Sequence, residues 1–484
     1  MDKQIKALAL AAGIATGLSY SLWLGYWLFV SPLRKIPGPV IYVALGSIAL
    51  QLERLLSGQQ PMVVRRRMHE KYGAVVRIGP NELSVGDPAI ARHVLVVEDF
   101  PKSASAAGLF GPMHPGAIVS LRNKEEHRKV RRFMSPAFSI KGIDKLEPIM
   151  HQASDELVAK FERLVKEGNG EAEVDIWHEL HSVAIENIGR CAFGRKFDAI
   201  EHYSPFATYL SVTANVQWFR ALSWMPMNQY YQKMQHYCEN YMQEVVNERR
   251  AVGEGTTADL LELLVHGKDP ETGEKLNDRQ VMTQIMNFLT AGGDSTAGAM
   301  SFTVLCLIDD KEAMKKYVDE VMSCPVDPET DRLVTSHIKS CKYINAAVNE
   351  TLRLYTGRDF QRAAPEGADS IIGGYTIPAN TTVNVSRYAL HRHTPTWGDP
   401  DKFRPERFID EERESQDFFA FSQGSRNCIG KHFAILLNRI IVPELVRRFE
   451  FEDVAGQSRE VGLFVNIMIK THAYRVRIRR RQTP

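Results

Sequence analysis

The segment Phe421–Gly430 reads FSQGSRNCIG and places Cys428 directly before a strong helical pattern over Lys431–Arg448. Backbone N–H groups and the positive end of a helix dipole point toward a side chain in this position. Such surroundings lower the pKa of a thiol and stabilise the thiolate. We therefore expect Cys428 to be held as a thiolate, with a buried structural cysteine in a capped turn as the alternative.

The loop around Cys428 suits a flat ligand that carries acidic groups. A thiolate is a good axial ligand for heme iron. Gly424 and Gly430 would let the backbone pass close to a planar ring, and Arg426 could pair with a heme propionate. These residue types at this spacing predict a heme site.

The same ten residues resemble the heme-binding signature of the cytochrome P450 family, Phe-x-x-Gly-x-Arg-x-Cys-x-Gly. All of the fixed positions match, and they are Phe421, Gly424, Arg426, Cys428 and Gly430. The resemblance implies a large single-domain fold that is mainly α with minor β. It also implies heme b, with Cys428 as the axial ligand of the iron. The region Glu350–Arg448 looks most like fungal members of the pisatin-demethylase-like kind.

Two further segments resemble family motifs and carry charged residues. Glu350 and Arg353 match a Glu-x-x-Arg pattern and share one helix face. Arg407 lies in FRPERF (residues 403–408), which resembles the family's Pro-Glu-Arg-Phe segment. The resemblance implies that these three residues form a buried charge network with a structural role. Removing one member would leave a buried charge without its partner, so we expect each to be needed for folding.

A long helix is predicted over Asp278–Asp310, and within it AGGDST (residues 291–296) resembles the family's oxygen-activation motif. Adjacent glycines cost a helix about 1 kcal/mol each relative to alanine. Close approach of heme and dioxygen would explain them, and a helix–helix contact is the alternative. The resemblance implies that Asp294, Ser295 and Thr296 are catalytic and relay protons. The family usually has threonine after the acid, whereas Ser295 lacks the methyl group that restricts the rotamer.

Three basic residues fall at positions where the family contacts heme propionates. HRKVRR (residues 127–132) resembles a Trp-x-x-x-Arg segment, in which Arg131 takes the arginine position and His127 replaces tryptophan. Arg362 falls at another propionate-binding arginine. A solvated basic helix face is the alternative for the first two residues.

The N-terminal segment is predicted to be a membrane anchor. Ala7–Leu33 contains no charged residue and is long enough to cross a bilayer as a helix. Arg34 and Lys35 follow it, as the positive-inside rule favours for a cytoplasmic flank. We expect an anchor over 1–33, a proline-rich hinge over 34–39 and a catalytic domain over 40–484. This organisation predicts a single-pass protein of the endoplasmic reticulum membrane with its catalytic domain in the cytoplasm. A cleaved signal peptide and a buried core helix are the alternatives.

Composition and charge narrow the range of partners. The 484 residues carry a net charge of +2, so no global basic field favours nucleic acid. Six cysteines form no CxxC pair, and their spacings match no zinc pattern. We expect every cysteine other than Cys428 to be a small buried hydrophobic residue.

The remaining pattern predicts a helix-dominated chain with short strands. Helical spacing is typical of four further segments, which are His151–Lys166, Tyr230–Arg250, Lys311–Met322 and Ser336–Leu354. Strands are expected at Val75–Ile78, at Leu83–Val85, within 368–386 and within 463–478.

The resemblance implies a heme-thiolate monooxygenase that uses dioxygen and NADPH electrons from an NADPH-cytochrome reductase to oxidise an apolar small molecule. By analogy with the family, substrate contacts are expected from Ala104–Val119, Phe288–Gly292, Thr356–Phe360 and Leu463–Ile467. An acidic reductase could dock on a basic surface formed by Arg128, Lys129, Arg132, Lys431 and Arg439. A heme-thiolate isomerase or dehydratase that needs no reductase, and a heme sensor or carrier, are the alternatives.

Overall fold

A computed structural model describes residues 2–110, 116–202, 226–255, 259–355, 357–409, 416–457, 461–462, 470–471 and 473–482. Helices dominate these residues and the sheets are small, as the resemblance implied. The α-helices are α1 Asp2–Gly25, α2 Val40–Leu45, α3 Ser47–Ser57, α4 Pro61–Tyr72, α5 Pro88–Arg92, α6 Ala104–Phe110, α7 Lys124–Met134, α8 Ile140–Asp144, α9 Glu147–Glu167, α10 Ile176–Phe193, α11 Pro226–Val252, α12 Leu260–His266, α13 Asp278–Asp309, α14 Lys311–Met322, α15 Thr335–Ile338, α16 Lys342–Leu354, α17 Arg387–Leu390, α18 Thr394–Trp397 and α19 Lys431–Arg448.

Short strands and tighter turns complete the described elements. The strands are β1 Val75–Gly79, β2 Glu82–Val85, β3 Glu171–Asp175, β4 Val326–Asp327, β5 Arg332–Leu333, β6 Phe360–Ala363, β7 Ser370–Ile372, β8 Tyr375–Ile377, β9 Thr382–Val385, β10 Phe449–Asp453, β11 Val461–Gly462, β12 Lys470–Thr471 and β13 Arg475–Arg480. π-helical turns lie at Tyr26–Val30 and His93–Val97, and 3₁₀ turns lie at Pro32–Lys35, Pro405–Phe408 and Gly424–Arg426.

The chain forms two compact units. The first, here called the sheet unit, comprises Met1–Ala106, Asp359–Gly398 and Gln423–Ser425. Its main sheet has the order β1-β2-β9-β6, in which β2 and β9 run parallel and the other neighbours antiparallel. Val76 and Ile78 from β1 pack with Tyr42 and Val64 in a small apolar core. The strands predicted at Val75–Ile78 and Leu83–Val85 are therefore confirmed as β1 and β2.

The end of the N-terminal helical segment is packed against the sheet unit's first strand. The guanidinium of Arg77, which is buried, donates to the carbonyl of Trp27 at 2.9 Å and to that of Pro80 at 2.8 Å. The Arg77 N–H donates to the Pro37 carbonyl at 2.8 Å. A Cβ atom on Gly38 would lie 2.1 Å from the Arg77 oxygen, so only glycine allows this approach. The segment predicted to be a hinge over 34–39 thus lies against β1.

The predicted transmembrane helix is not supported. Within the ranges given above, no helix is both long enough and apolar enough to cross a membrane. The first turns of α1 contain Asp2, Lys3 and Lys6, and alanine, glycine, serine and threonine alternate with its larger apolar residues.

The second unit, here called the helical unit, comprises Ala107–Arg358, Asp399–Ser422 and Arg426–Pro484. Its core brings together apolar residues of α10, α12 and α13, among them Ile188, Leu261 and Phe288. A three-stranded antiparallel sheet, ordered β10-β13-β3, joins the C-terminal strands to the segment between α9 and α10.

The bounds of α13 follow from local chemistry. The Asn277 side chain accepts from the Gln280 N–H at 2.9 Å, and the Gln280 side chain accepts from the Asn277 N–H at 3.0 Å. This reciprocal capping box satisfies two donors that a helix start would otherwise leave unpaired. The helix continues without interruption through Gly292 and Gly293 to Asp309, as the sequence predicted.

Candidate active site

Cys428 lies at the end of a tight loop that leads into α19. Its N–H donates to the Phe421 carbonyl at 2.8 Å, which closes the loop between the first and eighth residues of the signature. The Phe421 ring packs on the apolar cluster of Ala299, Val348 and Leu352. Of the six cysteines, the other five are buried and Cys428 is exposed. The loop therefore presents one thiol at the surface of the helical unit, at the N-terminus of an 18-residue helix.

The signature glycines serve different purposes. Gly424 has φ +75°, and a Cβ atom there would lie 2.0 Å from the Leu95 carbonyl oxygen, so a side chain cannot be accommodated. Gly430 precedes α19, and a Cβ atom on it would lie 4.0 Å from the Cys428 sulfur, an ordinary contact. Gly424 is thus required by its positive φ and by its close approach to the Leu95 backbone within the sheet unit. Gly430, by contrast, leaves space beside the sulfur.

Two arginines connect the cysteine loop with its surroundings. Arg131 of α7 contacts the loop, and Arg426 of the loop contacts the segment before α7. Arg131 donates to the Asn427 carbonyl at 2.7 Å and also to the Asn427 side chain. Burial lowers the pKa of Arg131, and a negative charge on Cys428 opposes that shift. Arg426 donates to the carbonyls of Leu121 at 2.6 Å and Arg122 at 2.8 Å. Arg131 therefore places positive charge beside the half of the loop that holds the sulfur, and Arg426 ties the loop to the segment before α7.

The other two predicted propionate contacts lie in different units. His127 is buried on α7, whose N-terminus is capped by Asn123. Arg362 is buried on β6 of the sheet unit, where its guanidinium lies 5.7 Å from the centroid of the Phe360 ring.

The acid of the predicted oxygen-activation segment has a histidine partner that the sequence did not reveal. His181 on α10 places Nε2 2.9 Å from Oδ1 of Asp294, with the two side chains 11% and 16% exposed. The ring nitrogen makes no hydrogen bond there, so the contact is an ion pair when the imidazole is protonated. The residues are 113 positions apart, and neither periodicity nor a known motif connects them.

The hydroxyl residues next to Asp294 differ in exposure. Ser295 is partly exposed and donates to the Ala291 carbonyl at 2.7 Å, whereas Thr296 is buried. A Cβ atom on Gly292 would lie 2.9 Å from Cδ1 of Ile188 on α10. Gly292 thus allows a close contact between α13 and α10. Such a helix–helix contact was the alternative explanation for the two adjacent glycines.

The predicted charge network is present in the helical unit. Arg353 donates to both carboxylate oxygens of Glu350, at 2.7 and 2.8 Å, and Arg407 donates to Oε1 at 3.1 Å. All three side chains are fully buried. Arg353 also donates to the Pro400 carbonyl at 2.7 Å, and the Arg404 N–H donates to Glu350 at 2.9 Å. The network therefore joins α16 to the segment 399–407.

A family model for cytochrome P450 matches residues 37–476. The chain belongs to the cytochrome P450 family. As a cytochrome P450, it is a monooxygenase that uses heme and dioxygen, with electrons that derive from NADPH. The residues fit this cofactor, because the exposed sulfur of Cys428 at a helix N-terminus is the donor that a heme-thiolate site requires.

Fungal and bacterial relatives cover most of this cytochrome P450. The chain is 31% identical to the cytochrome P450 monooxygenase LUC2 of a Fusarium species, across 93% of this chain and 89% of the relative. It is 29% identical to the cytochrome P450 monooxygenase FUS8 of Gibberella moniliformis, over the same shares. A bifunctional cytochrome P450/NADPH–P450 reductase of Bacillus subtilis is 30% identical across 76% of this chain and 35% of that protein.

Part of the predicted basic docking surface of this cytochrome P450 is neutralised. Arg132 pairs with Asp269 at 2.8 Å and Glu271 at 2.5 Å, and Lys129 pairs with Glu274. Burial alone would raise the pKa of Asp269, but the hydrogen bonds from Arg132 and two backbone N–H groups lower it to about 2. Two of the five basic side chains that were predicted to meet a reductase, Lys129 and Arg132, are thus paired with acidic residues of the segment 269–274.

Some predicted substrate-contact segments of the cytochrome P450 lie outside the described residues. These are 111–115, Thr356 and 463–467. Gln284, which the sequence analysis did not identify, accepts from the Ile118 N–H at 3.1 Å and donates to the Gly116 carbonyl at 3.0 Å. This buried amide fixes the end of the predicted contact loop to α13, ahead of Phe288–Gly292.

Proposed function

We propose that this cytochrome P450 hydroxylates, epoxidises or otherwise oxidises an apolar small molecule, an intermediate of fungal secondary metabolism. The observation that carries the proposal is the pairing of Asp294 on α13 with His181 on α10. The buried side chains of α13 around this pair are mostly apolar. A carboxyl group with an imidazole partner suits proton delivery to dioxygen, which an oxidation requires. The fungal relatives, which are named monooxygenases, support the reaction class.

Each residue of the site has a role in this proposal. Bound heme supplies the iron at which dioxygen is reduced and its O–O bond is broken. Cys428 would hold the heme iron through its sulfur. Asp294 moves protons, and the hydroxyls of Ser295 and Thr296 hold and orient them. By the family resemblance, Phe421, Gly424 and Gly430 would contact heme, and Arg131, Arg426, His127 and Arg362 would pair with its propionates.

Replacement of Cys428 tests the ligand assignment. The reduced protein with carbon monoxide should show the long-wavelength absorption band of a heme thiolate, and Cys428→Ser should lose it. Cys238→Ser, at a buried cysteine of α11, is the matched control and should retain the band. A Cys428→Ser protein that kept the band would refute the assignment, provided that circular dichroism shows both variants to be folded.

A reductase-independent isomerase or dehydratase remains the alternative function. It would share the cysteine loop, but it would have no use for a proton relay at Asp294. Turnover that requires NADPH, dioxygen and an added P450 reductase supports the monooxygenase. Turnover with heme protein and substrate alone supports the alternative.

We infer further that an NADPH-cytochrome reductase is a separate partner and that the protein resides on the endoplasmic reticulum membrane, with its catalytic part in the cytoplasm. The reductase-fused bacterial relatives support the first inference. Large apolar side chains that are exposed on the N-terminal helices support the second. They include Leu10, Ile14, Leu18 and Leu22 on α1, and Leu52, Leu55 and Leu56 on α3.

A further inference from the structure

Two cysteines and a histidine meet in the helical unit at the junction of α14, α15 and α16. Cys324 follows the end of α14, His337 lies in α15, and Cys341 immediately precedes α16. The two sulfur atoms are 3.4 Å apart. The sulfurs and a ring nitrogen of His337 all lie within 4.8 Å of one another. No sequence motif links them, since their spacing is Cys-x12-His-x3-Cys.

The surrounding backbone fixes both cysteines in place. The Cys324 thiol donates to the Glu320 carbonyl at 3.2 Å, and the Cys341 thiol donates to the His337 carbonyl at 3.5 Å. The Glu320 carboxylate accepts from the N–H groups of Tyr343 at 3.1 Å and Ile344 at 2.7 Å. Glu320 of α14 therefore caps the start of α16. This cap fixes the position of Cys341 relative to Cys324. Little rearrangement is needed to present them to one ion.

The separation of the sulfurs suits a shared metal better than a covalent bond. A disulfide requires an S–S distance of about 2.05 Å, much shorter than the distance between Cys324 and Cys341. Two sulfurs bound tetrahedrally to one zinc ion at about 2.3 Å each lie roughly 3.7 Å apart. The pair would need to open by only a few tenths of an ångström to reach that geometry.

We propose that Cys324, Cys341 and His337 form a second metal site, which binds Zn²⁺ or a cation of similar affinity for sulfur. Two thiolates and one imidazole are a known zinc ligand set, with the fourth position taken by water. The cysteines are buried and His337 is exposed, so the ion enters from solvent on the histidine side. Bound zinc clips the end of α14 to the start of α16.

The site should be tested on the full, heme-loaded chain. The protein is cleared of loosely bound metal with a chelator, dialysed against Zn²⁺ and analysed for zinc and iron content. Wild type is expected to hold one zinc per heme. Cys324→Ser and Cys341→Ser should lose it, and His337→Ala should lose it at a lower chelator concentration than wild type. Cys238→Ser, at a buried cysteine outside the cluster, should keep it.

A measurement on the wild-type chain alone guards against variants that fail to fold. X-ray absorption at the zinc edge should show two sulfur neighbours at about 2.3 Å and nitrogen or oxygen neighbours at about 2.0–2.1 Å. A shell of nitrogen and oxygen alone would overturn the proposal. So would zinc content equal to wild type in both folded cysteine variants, or a disulfide between Cys324 and Cys341 found by peptide mapping.

Discussion

At the scale of single residues, the site depends on contacts between side chains that are distant in sequence. His181 and Asp294 approach to 2.9 Å across two helices. Neither residue alone indicates this contact, since a histidine on a buried helix is usually a core residue. The acid could be predicted from its segment, but its partner could not, because only the packing of α10 against α13 brings the imidazole to it.

Loss of His181 should weaken proton delivery by leaving Asp294 without a partner that orients it. A positioned proton donor contributes about 10²–10⁴-fold to a rate, so we expect His181→Gln to lower product formation by about tenfold, with more NADPH consumed to form hydrogen peroxide. The measurement compares product, peroxide and NADPH consumed with an added P450 reductase. His202→Gln, at an exposed histidine, is the control.

The yield of product per NADPH separates positioning from simple packing. If folded His181→Gln forms as much product per NADPH as wild type, the contact between His181 and Asp294 plays no part in proton delivery.

Glu350 should be required for stability rather than for chemistry. Its carboxylate is the acceptor for two fully buried guanidinium groups, and removing one partner of a buried pair costs about 3–5 kcal/mol. Glu350→Gln should therefore lower the free energy of unfolding by that order and reduce the yield of heme-loaded protein. Glu406→Gln is the matched control, because its carboxylate pairs with the exposed Lys316 and such pairs are worth about 0–1 kcal/mol. Equal losses in both variants would contradict the structural role.

At the scale of elements, prediction succeeded where the signal is local. The long helix α13 was predicted nearly to its ends because Asn277 and Gln280 form its cap and no proline interrupts it. The helix predicted over Ser336–Leu354 is broken by a turn before Lys342, and no glycine or proline marks that break. β3, with the sequence EAEVD, was missed because its only buried residue is Val174, and it becomes a strand by pairing with β13 about 300 positions away.

The contact between α10 and α13 predicts a specific coupling between Gly292 and Ile188. Gly292→Ala would gain about 1 kcal/mol in helix propensity, but its new methyl group would collide with Cδ1 of Ile188, and such overpacking costs about 1–3 kcal/mol. Because Cδ1 is the far end of a flexible side chain and can move aside, we expect the collision to cancel the gain in propensity and leave the stability of the variant close to that of wild type. Ile188→Val removes the colliding atom at a cost of about 0.5–1.5 kcal/mol by itself.

The double variant is therefore expected to be more stable than the sum of the two single changes predicts. Chemical unfolding of the wild type, both single variants and the double variant measures the coupling energy. Additive effects within experimental error would show that the glycine is not required by this helix contact.

At the scale of the whole molecule, the N-terminal segment belongs partly to the folded body. Leu33 is fully buried, and the 3₁₀ turn that contains it packs against β8 of the sheet unit. The Trp27 carbonyl accepts from buried Arg77. The apolar composition of the segment predicted an anchor, but it could not reveal that its last turns are part of the sheet unit, because that depends on strands up to 350 positions away.

Two truncations should separate membrane binding from folding. Removal of residues 1–24 keeps Trp27 and Leu33, so we expect weaker sedimentation with lipid vesicles and an unchanged unfolding temperature. Removal of residues 1–33 also removes buried Leu33, whose burial is worth about 1.5–3 kcal/mol, and leaves the Arg77 guanidinium without the Trp27 carbonyl. That second variant should unfold at a distinctly lower temperature. If both truncations unfold at the same temperature, the last turns of the segment do not stabilise the sheet unit. If the shorter truncation sediments with vesicles as wild type does, the apolar side chains of α1 are not what attaches the protein to a membrane.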